Sequence, residues 1–248
     1  MSGNGINDRL PSTIFIPSAT GNRIIDIYTE EGYRVLTELW LRSGWERQIY
    51  SMINWLGVPV GQLPEDLLMM QECIYNVRPN IIVETGSYLG GTALFYASML
   101  ELIGGGQVIS VDIQAFERPQ LAAQSLKPRI TLITGSSTDP AVVAEVSAMI
   151  RPTDRVLVAL DSDHSRAHVQ KELEFYAPLV TPGSYIVVFD GVMEILADAP
   201  KGSLAWAVDS PAPAIRDFLA AHPEFSVDPH YSRLQATYST NGYLRRRG

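Results

Sequence analysis

The chain has one cysteine in 248 residues, and its 19 basic side chains are outnumbered by 27 acidic ones. A single cysteine excludes an internal disulfide, and the place of Cys73 in the helical-looking run Leu67 to Val77 reads as a buried, inert thiol. A net charge of -8 excludes a broad phosphate-tracking surface, because nucleic-acid binders draw on clustered cations that release counterions. The one basic cluster, Arg245 to Arg247, reads as a solvated tail. No apolar run reaches the roughly 18 residues of a membrane span, and "MSGNGINDRL" has neither the basic nor the apolar region of a secretion signal. The expectation is a soluble, cytoplasmic protein with no nucleic-acid partner and no membrane insertion.

With 46% hydrophobic residues there is material for a large core. The first 22 or so residues, rich in Gly, Asn, Ser and Pro, read as loosely ordered unless docked. From Ile24 to Leu56 apolar residues recur at helical spacing, with Gly44 as a break. Pro64-Glu65-Asp66 suits a helix first turn. Residues 1–79 are therefore expected to form a tail and helical cap. Beyond Pro79, short uniformly apolar runs ("IIVET", "QVISVDI", "ITLIT", "RVLVAL", "SYIVVFD") alternate with helical segments. Strands apolar on both faces imply a parallel sheet covered by helices on each side. Residues 80–248 thus predict a Rossmann-like, doubly wound α/β domain. The ending "LQATYSTNGYLRRRG" predicts an antiparallel strand pair turning at Asn241-Gly242.

In "IIVETGSYLGGTALFYA" a strand leads through a Gly-rich turn into a helix, which places Gly86, Gly90 and Gly91 where backbone amides can approach a ligand. The spacing is neither G-x-G-x-x-G nor a Walker loop. Glu84 puts negative charge where a pyrophosphate would lie, which suits a ligand with a cationic part such as S-adenosylmethionine. Asp112, at the next strand end and about 20 residues on, is placed to accept ribose hydroxyls. The glycines would equally make a plain tight turn, with Asp112 capping a loop. Ser136, Ser137 and Thr138 can reach an adenine edge or act as ordinary N-capping residues before Pro140.

"VLVALDSDHSRAHV" ends a buried strand in Asp161, Asp163 and His164, and Asp190 follows "YIVVF" in the same way. Two carboxylates at neighbouring strand ends repel unless a cation or shared proton lies between them, and oxygen ligands suit Mg2+. His164, about one helical turn past Asp161, can take a proton from a hydroxyl. Alternatively Asp161 and Ser162 cap the following helix with Asp163 in its first turn. His168 is expected to face solvent.

The stretches "NWLGVPVGQLPEDL", "VETGSYLGGTALFYASML", "TGSSTDP", "LDSDHSRAHVQKELEFYAPLVTPGSYIVVFD" and "NGYLRR" resemble the cephalosporin hydroxylase and rhamnosyl O-methyltransferase family from about Trp55 onward. That resemblance implies a class I methyltransferase fold, S-adenosylmethionine as cofactor, Mg2+ held by Asp161 and Asp190, a homo-oligomer, and a small-molecule acceptor with a natural-product or sugar-type hydroxyl. A more distant likeness to catechol O-methyltransferase covers Glu84, Gly86, Tyr88, Gly90 and Thr92, with Ser87 between them. It implies that Tyr88 and Thr92 hold the methionine carboxylate, Asp112 the ribose and Ser137 the adenine, with Asp161 on a metal aspartate and His164 on the base. Where the family has Glu-Asp, this chain has Phe189-Asp190, which leaves water, substrate or a neighbour such as Asp163 or Glu194 to complete a metal site. The acceptor is expected under a lid made by the N-terminal helices and "MEILADAPKGSLAWAVDS", with Trp206 either stacking on it or packing the lid. The aromatic cap (Trp40, Trp45, Tyr50, Trp55) either covers the cleft or buries itself in a second subunit.

Overall fold

The structure is a computed structural model that describes residues 12–17, 21–114 and 119–248. The expected loose start falls largely on residues 1–11 and 18–20, outside the described residues. The chain begins with an antiparallel pair, β1 (Thr13–Ile16) and β2 (Arg23–Asp26), followed by α1 (Glu30–Arg47). Ile24 therefore belongs to a strand and not to the helix read from its spacing. Thr29 starts α1 by accepting from Gly32 N, and the helix runs through Gly44 to Gln48, whose φ of 53° closes it. Gly44 is no break: a side chain there would press on Ile49.

A two-residue pair, β3 (Asn54–Trp55) and β4 (Val58–Pro59), precedes α2 (Pro64–Val77). The α/β elements follow in order: β5 (Ile81–Thr85), α3 (Gly91–Leu102), β6 (Gln107–Asp112), α4 (Pro119–Ala122), β7 (Ile130–Thr134), α5 (Pro140–Ala148), β8 (Val156–Leu160), α6 (Arg166–Tyr176), β9 (Tyr185–Val188), α7 (Pro211–Ala221), β10 (Phe225–Val227) and β11 (Tyr243–Arg246). Seven strands form one sheet in the order β10-β11-β9-β8-β5-β6-β7, in which β5 to β9 run parallel and β11 runs antiparallel to both its neighbours.

All five residues of β5 and of β8 are buried, as expected for strands covered on both faces. Successive side chains alternate between two cores. Ile82, Leu157 and Val187 meet α2 and α3, whereas Val83, Val158 and Ile186 meet α5, α6 and α7. Cys73 on α2 is fully buried in the first of these, where burial holds its thiol well above the usual range. Truncating a fully buried core leucine such as Leu157 to alanine costs about 2–5 kcal/mol. A third cluster joins Leu41 of α1, Leu63, Val192, Leu196 and Tyr238 over the carboxyl ends of the strands.

The C-terminal antiparallel pair is present with a different partner from the one read in the sequence. Phe225, Ser226 and Val227 oppose Arg246, Arg245 and Leu244, and Asn241-Gly242 is a turn into β11 and not the tip of a hairpin. Leu234 to Tyr238 form no strand, because Asp66 takes up that segment: its carboxylate accepts from Thr237 Oγ1 and, at 2.9 Å, from Tyr238 N. Arg245 and Arg246 are accordingly part of the sheet and not a solvated tail. Among the described residues no helix is long and apolar enough to cross a membrane.

Candidate active site

The order of strands reverses between β5 and β8, which pair in parallel up to Thr85 and Leu160. Open α/β sheets bind ligands at this switch point, outside the strand carboxyl ends. Gly86 and Asp161 are the first residues past those ends. Gly86 has a φ of 82°, and a Cβ there would collide with the Asp161 carbonyl; one at Gly91 would collide with the Pro59 carbonyl. These two glycines serve close backbone packing that forms the cleft, in addition to any approach by a ligand.

Two cavities open here and share Gly86, Tyr88 and Asp161. The first, about 470 Å³, is lined by Asp112, Ile113, Ser136, Ser137, Ser162 and His168 among others. Asp112 accepts from Tyr88 N at 2.7 Å and from Gln114 N at 2.9 Å, which fixes the carboxylate at the rim. Glu84 lies beneath the turn at 1% exposure; its carboxylate accepts from Ser110 Oγ, and it lines neither cavity. His168 turns inward, contrary to the expectation of a solvent-facing ring. Its Nε2 lies 3.0 Å from Ser137 Oγ and 3.1 Å from Ser162 Oγ, with the buried Glu172 carboxylate 3.6 Å away. Glu172, first among the causes, holds the His168 pKa above its ordinary value.

The second cavity, about 570 Å³, has Ser87, Thr92, Asp161, His164 and Asp190 on its sheet side. Ser87 and Thr92 are buried and Tyr88 is exposed, with a φ of 40°. Opposite stand four rings from three distant segments: Trp45, Tyr50, Trp206 and Tyr238. Trp45 is central, with ring centroids 5.5 Å from Tyr50, 5.7 Å from Trp206 and 5.6 Å from Tyr238. Trp206 thus both packs the lid and lines the cleft. Trp55 lies elsewhere, edge-on to Phe95 with its Nε1 donating to Ser98 Oγ, and Trp40 is 41% exposed.

Donor atoms of Asp161, His164 and Asp190 all lie within 4.8 Å of one another. His164 reaches this point through an irregular loop and not one helical turn on, since α6 begins only at Arg166. Ser165 occupies the position before α6 without a capping side-chain bond, and Asp163 shapes the loop by accepting from Ser165 N at 2.8 Å. Asp161 and Ser162 therefore do not cap the helix. His164 Nε2 is 3.1 Å from Asp190 Oδ2. Desolvation first, then the charges of Asp190 and Glu84, push the Asp161 pKa well above the usual carboxylate range, and desolvation likewise raises that of Asp190 against the opposing effect of His164. Glu194 is engaged elsewhere, bound to Arg216 at 2.7 Å and 2.9 Å.

Gln62 escaped the sequence reading. It is 3% exposed, and its Nε2 donates to Asp161 Oδ2 at 2.8 Å. The only hint in the sequence is a lone amide in the otherwise apolar "VPVGQLP".

Comparison with known proteins identifies the family and the fold. A rhamnosyl O-methyltransferase of Mycobacterium leprae is 29% identical over 203 residues, covering 80% of this chain and 85% of that protein. One from Mycobacterium bovis is 28% identical over 144 residues, 57% of this chain and 58% of that protein. A solved structure of CmcI with Mg and SAM superposes with a TM-score of 0.60 at 22% identity, covering 80% of this chain and 78% of that one. An O-methyltransferase from Bacillus cereus in complex with SAH gives 0.53 at 16% identity, covering 81% and 84%. These two structures establish the class I methyltransferase fold. The family model described as Rhamnosyl O-methyltransferase/CmcI matches residues 47–247, and the chain belongs to that family.

Proposed function

We propose that this protein transfers a methyl group from S-adenosylmethionine to a hydroxyl of a small-molecule acceptor of natural-product or sugar type. The observation that carries the reading is the pair of cavities meeting at Gly86, Tyr88 and Asp161, one rimmed by Asp112 and the serines, the other by the Asp161–His164–Asp190 cluster. S-adenosylmethionine held in the first cavity would supply an electrophilic methyl to the acceptor oxygen, its sulfur keeping the electron pair of the C–S bond. The protein's part is mostly orientation, since alignment of two reactants can supply about 7–11 kcal/mol of a barrier. Asp112 holds the ribose, Ser136 and Ser137 face the adenine, Tyr88 and Thr92 lie toward the methionine end, and the aromatic wall places the acceptor. The Asp161–His164–Asp190 cluster receives the hydroxyl proton. The oxygen-only set that suits Mg2+ is incomplete, because Phe189 is 3% exposed in the core and the third donor is His164. A homo-oligomeric, cytoplasmic enzyme fits the exposed apolar side chains of α1 (Leu36, Leu39, Trp40) and the absence of a spanning helix among the described residues.

Calorimetric titration with S-adenosylhomocysteine tests the cofactor site. Saturable binding that is strongly weakened in Asp112→Ala is expected; no binding by the unmodified protein would overturn the function.

A further inference from the structure

The second donor set at the strand ends differs from an all-carboxylate site in kind. Asp161 follows β8, Asp190 follows β9, and between them stands an imidazole nitrogen instead of a third oxygen. The 3.1 Å between His164 Nε2 and Asp190 Oδ2 matches the roughly 3.0 Å separating adjacent ligands around an ion whose bonds are about 2.1 Å long. Phe189, buried in the core, removes the carboxylate that would otherwise complete an oxygen set. Neither neighbouring carboxylate completes it: Asp163 is committed to Ser165 and Glu194 to Arg216.

A second observation points to a bound group. The Gln62 amide that fixes one oxygen of Asp161 carries at its other end an Oε1 that is buried and has no hydrogen-bond partner among the described residues. Gln62 lines neither cavity and so holds Asp161 from behind, the place of an outer partner that orients a metal ligand. Among the described residues no lysine or arginine lines this cavity, so the two carboxylates there are offset by His164 and a shared proton or by a bound cation. Imidazole is a good ligand for Mn2+, Co2+ and Zn2+, whereas Mg2+ favours oxygen.

We propose that Asp161, His164 and Asp190, with Gln62 orienting Asp161, form a mixed oxygen–nitrogen site for a first-row transition cation in preference to Mg2+. His164 is then a ligand whose lone pair is not available to take the acceptor's proton, and within the cluster that proton passes to a carboxylate oxygen of Asp161 or Asp190. The role of the ion in catalysis rests on the methyltransferase reading above; its binding does not, and is measured without cofactor.

The experiment is titration of the purified full-length protein with Co2+ and with Mg2+, together with pulsed electron paramagnetic resonance of the Mn2+ form for nitrogen coupling. The unmodified protein is expected to show imidazole coupling and to bind Co2+ at least about tenfold tighter than Mg2+. His164→Ala should abolish the coupling and weaken Co2+ by more than the roughly tenfold that losing an outer partner costs. His222→Ala, a ring bound on the surface to Glu174 and Glu224, should change neither. His164→Asp, which restores a third oxygen, should shift preference toward Mg2+ and keeps the test decisive if the alanine variant misfolds. Coupling that survives His164→Ala, Mg2+ bound as tightly as Co2+ by the unmodified protein, or no cation bound at all would overturn the proposal. If S-adenosylhomocysteine fails to bind while Co2+ binds and the Mn2+ form shows imidazole coupling, the methyltransferase reading fails and the metal site stands.

Discussion

The two halves of the cleft are built in opposite ways. The half proposed for the cofactor comes from consecutive strand ends and is held by backbone amides on Asp112 and by the His168–Glu172 pair. The half proposed for the acceptor is roofed by rings from residues 45–50, 206 and 238, with Trp206 and Tyr238 packed edge to face on Trp45 and Tyr50 tilted against it. Local strand geometry specifies the first half, whereas long-range packing specifies the second. The cofactor half should therefore tolerate changes in the roof, and the roof should carry whatever distinguishes one acceptor from another.

The largest test of that contrast is pH. Asp66 ties the roof to α2 through Thr237 and Tyr238, and desolvation raises its pKa from 3.8 to about 7. A raised folded-state pKa means the folded protein binds more protons, so this contribution is present near pH 4 and lost as pH rises to 7. At 1.36 kcal/mol per unit the change is at most about 4 kcal/mol. Denaturant titrations at pH 5 and pH 8 should show a smaller difference in Asp66→Asn than in the unmodified protein; identical differences would refute the assignment.

Trp45→Ala comes next. It removes the ring at the centre of the roof and should cost about 3 kcal/mol of stability, while S-adenosylhomocysteine affinity measured by calorimetry stays within about twofold. A large loss of affinity would show that the halves are not separable. Asp112→Ala is the converse: losing contacts to a charged group worth about 1.5–3 kcal/mol should weaken S-adenosylhomocysteine roughly ten- to a hundredfold with the thermal midpoint little changed. The smallest effect is expected for Arg216→Ala, which breaks an ion pair of an arginine side chain 59% exposed and should alter unfolding free energy by less than about 1 kcal/mol.

The same contrast explains what the sequence disclosed. Strands β5 to β9 were legible as continuous apolar runs, and Asp112, Asp161 and Asp190 were legible because each closes such a run. Tyr50 was legible only as one ring of an aromatic cap, Gln62 only as a lone amide in an apolar stretch, and Tyr238 not at all, since their placement depends on how α1 and residues 234–240 fold back over the sheet. His168 was misjudged because the carboxylate that draws it inward, Glu172, sits one turn further along the same helix and is itself buried by the core. The terminal strand pair was legible as a pair, but its first strand has three residues, too few to show a period, while the alternation at Leu234 to Tyr238 reflects packing against α2 and the roof.

Cys73 has a practical consequence. Because the only thiol of the chain is sealed between α2 and the sheet, a thiol-reactive dye added to the native protein can label it only when that face opens. The labelling rate is then a built-in clock for core opening, and a second cysteine introduced on the roof could carry a reporter of acceptor-side motion with almost no background.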